Sequence, residues 1–171
     1  MSQVYLLRHA KAVWPSPGQK DFDRVLDKDG IEAAEVLGKE LRRSGLKPEI
    51  VLCSPAIRAR QTLEYVDIEP PFILEESEKL YSAGPDAYLM AIRLTGLKHE
   101  AANSVMLVGH NPMMEELATA LAGRGNPPSH PTFVAGFPTA GLAVIQFDVP
   151  LAEIRPGTGT LHAFFSPSEH L

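Results

Sequence analysis

The sequence predicts an α/β protein: a mainly parallel sheet in the middle of three layers, with helices on both faces. Three observations lead there. Short apolar runs without helical period at residues 4–7, 50–53 and 104–109 read as buried strands. Segments with helix start and stop signals follow each of them, and strands that alternate with helices pair in parallel because the crossover returns the chain to the same end of the sheet. The 171 residues suffice for one core, so residues 1–171 are read as a single domain.

The first run, Val4, Tyr5, Leu6 and Leu7, ends abruptly at Arg8 and His9. Residues 11–27 contain Pro15, Pro17, Gly18 and scattered charges, which predict a long surface loop. Its Lys11, Lys20 and Arg24 read as a solvated face, and Trp14 as a loop anchor or a lid residue. Asp27 caps the next helix, whose apolar positions Ile31, Ala34, Leu37 and Leu41 recur at helical spacing before a stop at Ser44-Gly45. Beyond the second strand, Ser54 as cap and Pro55 at the first helical position start a helix with Arg58 in its first turn. A weaker strand at 72–74 and a helix at 85–97 lead to the third strong strand, after which Asn111 caps a helix ending near Ala122-Gly123. A Pro-rich loop at 126–131 is followed by strands at 142–147 and 160–165, joined by a turn at 156–159.

Parallel sheets bind ligands beyond the carboxyl ends of their strands, and Arg8, His9, Arg58 and His110 all follow strand ends. If the strands are neighbours, these four side chains converge. Two guanidinium groups and two imidazoles on a chain of net charge −5 make a local positive pocket, and the planar fork of arginine matches phosphate oxygens. Helix starts at Ser54 and Asn111 would add backbone N–H donors. A neutral histidine there can attack phosphorus and carry the phosphoryl group before water takes it. Neighbouring cations should keep His9 unprotonated, and His110 with the arginines should stabilise the charge that spreads over the transferring group.

Leu7-Arg8-His9-Ala10 resembles the Arg-His-Gly signature of the histidine phosphatase superfamily, with Ala10 in place of the usual glycine. Residues 54–62, from Ser54-Pro55 to Gln61-Thr62, resemble its second block, and Val108-Gly109-His110-Asn111-Pro112 its third. The resemblance implies a phosphoglycerate mutase-like fold, His9 as the phosphorylated nucleophile, and Arg8, Arg58 and His110 as the substrate-binding phosphate pocket. The short length is similar to SixA-type phosphohistidine phosphatases. Relatives acting on alkyl phosphates carry a glutamate two residues after a leucine in the middle segment, where Leu80-Tyr81-Ser82 offers serine. A P–N bond tolerates this, since imidazole leaves as a neutral molecule once its ring is protonated. Glu76, Glu78 and Asp86 are the other proton donors in that region.

The expected substrate is therefore phosphohistidine on a protein. A small-molecule phosphomonoesterase with the same pocket and a non-catalytic phosphate-binding module are the alternatives. His99, His130, His162 and His170 show no ligand spacing with one another or with Cys53, so no metal and no cofactor are expected. Cys53 reads as a small core residue, Gln61 and Thr62 as packing contacts of their helix. The acidic charge argues against nucleic acid and anionic membrane as partners. One cysteine and the absence of a signal or spanning stretch point to the cytoplasm.

Overall fold

The computed structural model describes residues 1–123 and 136–167, which leaves the Pro-rich stretch at 126–131, His130 and His170 outside the described residues. Six strands form one sheet in the order β3-β2-β4-β1-β5-β6. Strands β1 (Ser2–Arg8), β2 (Ile50–Cys53), β3 (Ile73–Glu76) and β4 (Ser104–Gly109) run parallel. The last two, β5 (Leu142–Phe147) and β6 (Thr160–Phe165), return antiparallel to their inner neighbours.

Alternation along the strands divides the core between the two faces of the sheet. On one face Tyr5, Leu7, Val51, Cys53, Met106 and Val108 pack with Ala34, Leu37 and Leu41 of α1 (Lys28–Ser44) and Ala59 and Val66 of α2 (Ile57–Val66). On the other, Val4, Leu6, Leu52, Val105 and Leu107 meet Leu80 of the short α3 (Lys79–Ser82), Tyr88 and Ile92 of α4 (Pro85–Lys98), and Met114 and Leu117 of α5 (Met113–Leu121). This is the expected three-layer α/β architecture. Each fully covered Leu or Val contributes about 1.5–3 kcal/mol by leaving water, which is why β1 and β4 read as unbroken apolar runs. β3 lies at the sheet edge with Ile73, Leu74 and Glu76 exposed, and its signal is correspondingly weak.

Local signals account for α1 closely. The Asp27 side chain accepts from the Gly30 N–H at 2.7 Å, and Gly45 ends the helix at φ 68°, a left-handed conformation that costs glycine nothing. The start of α2 is later than expected: the helix begins at Ile57 with Ala56 in the capping position, and the Ser54 hydroxyl accepts from the Ala56 N–H at 3.3 Å ahead of it. At α5 the capping position falls on Pro112, although Asn111 Oδ1 still accepts from the Glu115 N–H at 3.2 Å.

Tyr88 is fully buried and joins three elements. Its hydroxyl accepts from the His110 N–H at 3.1 Å and donates to the Leu80 carbonyl, and a Cβ on Gly109 would come within 2.5 Å of that oxygen. Glycine therefore ends β4 so that Tyr88 can reach the first residue beyond the strand. Tyr88→Phe leaves the His110 N–H and the Leu80 carbonyl unpaired and should cost about 1–3 kcal/mol. Urea unfolding checks this: the midpoint should fall with the slope unchanged.

Candidate active site

The register of the parallel strands brings the predicted residues together. Arg8 lies opposite Gly109 in the β1–β4 pair, and Cys53 opposite Val108 in the β2–β4 pair. The ladder continues one step past the strand ends, with the His9 N–H donating to the Gly109 carbonyl and the Ser54 N–H to the Val108 carbonyl, each at 3.0 Å. Arg8, His9, Ser54 and His110 thus emerge on one edge. Arg58 reaches it from the first turn of α2, where Thr62 Oγ1 donates to the Arg58 carbonyl at 2.7 Å and accepts from the Ala10 N–H at 2.9 Å. Ala10 is buried and has no positive φ, so a methyl in place of the expected glycine causes no backbone strain.

Hydrogen bonding assigns the ring nitrogens of both histidines. His9 Nδ1 lies 2.7 Å from the Ala10 carbonyl, which can only accept, so Nδ1 carries the proton and Nε2 the lone pair. That lone pair faces Arg58 Nε at 3.3 Å. His110 Nδ1 faces Arg58 Nη2 at 3.4 Å and accepts, which leaves its Nε2–H for Ser54 Oγ at 2.8 Å. The two imidazoles are tilted with centroids 5.1 Å apart. Arg8 Nη1 donates to the Phe137 carbonyl at 2.7 Å, the same carbonyl that Asn111 Nδ2 reaches at 3.1 Å. Arg8 Nε is buried and pairs with no atom of the described residues.

Both histidines are held neutral. Burial is the largest cause for His9, with the charges of Arg58 and Arg8, and of His110 whenever that ring is protonated, adding to it, and its pKa falls to about 3 despite the hydrogen bond to Ala10. Burial and the Arg58 charge bring His110 to about 4. The direction for His9 is the expected one, but desolvation outweighs the neighbouring cations.

The 11–27 loop contributes a residue that the sequence did not single out. Asp21, in a short 3-10 turn at Asp21–Asp23, accepts from Arg58 Nη1 through its main-chain carbonyl at 2.8 Å and from Arg58 Nη2 through Oδ2 at 3.0 Å. Tyr81 Oη donates to the same Oδ2 at 3.0 Å, and Arg24 Nη1 to Oδ1 at 3.1 Å. Burial alone would raise the Asp21 pKa, but the bonds from Arg24, Tyr81 and Arg58 hold it at about 2. The Tyr81 ring also meets His110 edge-on at 5.5 Å.

Other candidates lie elsewhere. Glu76 pairs with Arg60, Ser82 Oγ donates back to the Glu78 carbonyl at 3.2 Å, and Glu78 and Asp86 are exposed. Arg24 is a staple of its own loop, with Nε donating to the Val13 carbonyl at 2.9 Å, and Lys11 pairs with Asp27 at 3.6 Å. Trp14 is 88% exposed and anchors nothing. Gln61 Oε1 accepts from the Leu26 N–H at 2.8 Å, which fastens the loop to α2 rather than α2 to the sheet. Ser54 does more than cap: its hydroxyl accepts from the Ala56 N–H at 3.3 Å, just ahead of α2, and also supports His110. Cys53 is buried, and burial pushes its thiol up to about 12. His99 pairs with Glu75 at 3.0 Å. Among the described residues no three His, Cys, Asp or Glu side chains gather as metal ligands, and no helix is long and apolar enough to cross a membrane.

The chain is similar to known proteins. The profile of the histidine phosphatase superfamily (branch 1) matches residues 4–80. A solved structure from Agrobacterium tumefaciens, assigned as phosphohistidine phosphatase SixA, superimposes with a TM-score of 0.82 at 35% identity, covering 97% of this chain and 98% of its own. A protein histidine phosphatase SixA solved with tungstate gives 0.78 at 26% identity, covering 99% of both chains. Phosphohistidine phosphatase SixA of Escherichia coli is 29% identical over 96% of this chain and 94% of its own length. The signatures at the ends of β1, β2 and β4 and this end-to-end similarity agree, and the chain belongs to the histidine phosphatase superfamily, with a phosphoglycerate mutase-like fold.

Proposed function

We propose that this chain is a metal-independent phosphatase that removes phosphate from phosphohistidine on proteins, acting over residues 1–171 as one catalytic domain, through His9. The observation that carries the reading is the neutral His9 ring whose Nε2 lone pair opens on Arg58, with His110 beside it. Nε2 forms a bond to phosphorus as the P–N bond of the substrate breaks, and the electron pair of that bond stays on the departing imidazole. Water then attacks phosphorus and His9 Nε2 leaves with its own pair. Arg58 and His110 bind the equatorial oxygens, where charge accumulates. The buried, unpaired Arg8 Nε supports a place for one more oxygen, because an N–H shielded from water and left without an acceptor is unfavourable.

The groups around the pocket favour a good leaving group. Asp21 is the carboxylate bonded directly to the pocket arginine, and it is held ionised, so it has no proton to give an alkoxide. Ser82 and Glu76 are engaged with their own neighbours. A phosphohistidine protonated on its second ring nitrogen needs no proton at departure. The likeness to the SixA proteins, one of them solved with the oxyanion tungstate, points to the same class of substrate.

Turnover of a phosphohistidine peptide, an aryl phosphate and an alkyl phosphate tests the reading. The first two should be hydrolysed and the alkyl ester should lag far behind. A preference for the alkyl ester would identify a small-molecule phosphomonoesterase instead. Acid-labile phosphate should be trapped on the wild-type protein and be absent from His9→Ala, whose turnover should fall to background; trapped phosphate that persists would exclude His9. His110→Ala should lower kcat by about 10²–10³-fold.

The neutral histidines also set a pH dependence of stability. In the unfolded chain both take up protons below about pH 6.5, whereas in the folded protein they resist until about 3 for His9 and about 4 for His110. The unfolded state thus binds more protons, so their contribution to stability declines as pH falls from about 6.5 toward 4. Denaturation midpoints of wild type and the His9→Ala, His110→Ala double variant should converge over that window.

A further inference from the structure

Arg58 presents two edges to two different sets of partners. Its Nε and Nη2 face His9 Nε2 and His110 Nδ1 at 3.3 and 3.4 Å, while the adjoining edge, Nη1 and Nη2, is held by the Asp21 carbonyl and carboxylate at 2.8 and 3.0 Å. An arginine fork binds a phosphate through one edge only, and a flexible guanidinium can turn either edge to it. We propose that Asp21 is a positioning residue for the phosphatase reaction: by gripping the outer edge of Arg58 it keeps the Nε/Nη2 edge turned to the phosphoryl site between the histidines.

The grip is itself braced. Tyr81 and Arg24 donate to the two carboxylate oxygens, so the side chain is fixed both from α3 and from the residue that ends its own turn. Asp21 is half exposed while the Arg58 side chain is 7% exposed, so the ordering runs from a solvent-accessible anchor to a buried fork. Water cannot substitute for that anchor with the same direction. The inference rests on Arg58 binding the phosphoryl group, as proposed above.

Charge alone predicts the opposite effect. An anion next to an anion site repels the ligand, so deleting Asp21 would tighten phosphate binding if repulsion were its whole influence. Positioning predicts weaker binding. Because Oδ2 receives both Arg58 and Tyr81, an amide oxygen placed there can keep both bonds without the charge and gives up only the one from Arg24 to Oδ1.

The experiment compares wild type, Asp21→Ala and Asp21→Asn by titration with inorganic phosphate and by turnover of an aryl phosphate and a phosphohistidine peptide. Asp21→Ala should bind phosphate more weakly and lose kcat by on the order of 10- to 100-fold, by the same factor on both substrates. Asp21→Asn should recover most of both losses. Phosphate binding in Asp21→Ala that equals or exceeds wild type, together with an unchanged kcat, would overturn the proposal. So would a loss confined to one substrate, which would make Asp21 a group acting on the leaving group, or an Asp21→Asn as impaired as Asp21→Ala. If wild type hydrolyses neither substrate, the proposed function falls, and the phosphate titration still decides the role of Asp21.

Discussion

Parallel pairing of β2, β4 and β1 in fixed register is the constraint on which the rest of the molecule depends. Hydrogen bonds place Cys53, Val108 and Leu7 at one level across three adjacent strands. A slip by two residues would preserve every inward and outward face yet carry His9 or His110 out of reach of the other. Burial on both faces of the sheet resists such a slip, because each strand is matched to helices above and below it. The polar edge is therefore positioned by apolar residues that never touch it.

The most deeply buried charge of the positive pocket is compensated. Arg58 is the most deeply enclosed of the charged groups described there, and the Asp21 carboxylate meets it at the boundary with solvent. Two imidazoles lie beside it, and the burial that would penalise extra cations keeps both rings uncharged. The loop carrying Asp21 is fastened to α2 once more, by Gln61 to Leu26, and the bridge from Ala12 to Leu26 closes its own base. A composition that reads as irregular is thus ordered from outside, by the helix it crosses.

How much was legible follows from where each interaction is encoded. Strands β2, β4, β5 and β6 were readable to the residue, since unbroken or alternating apolar runs bounded by Gly, Pro or charge leave few alternatives. Arg8, His9, Arg58 and His110 could be placed together because parallel topology alone brings their strand ends to one edge. Asp21 could not, because its meaning comes from a contact 37 positions away and nothing in Asp21-Phe22-Asp23-Arg24 departs from a solvated turn. Ser54 was half legible for a related reason. A serine before a proline has the signature of a helix cap, and its hydroxyl does accept from the Ala56 N–H, but only the third dimension reveals that it also meets His110 and that the helix begins later. Likewise α3 is a single turn, too short for periodicity to register, yet it delivers Tyr81.

One small contact has a chemical corollary. The pros nitrogen of His9, Nδ1, is committed to the carbonyl of the next residue at 2.7 Å, a bond closed within the backbone turn itself. Only the tele nitrogen is free to form a new bond. A phosphoryl group taken up by His9 would consequently be attached at the tele position, so that a single hydrogen bond between neighbouring residues selects between the two isomers of phosphohistidine.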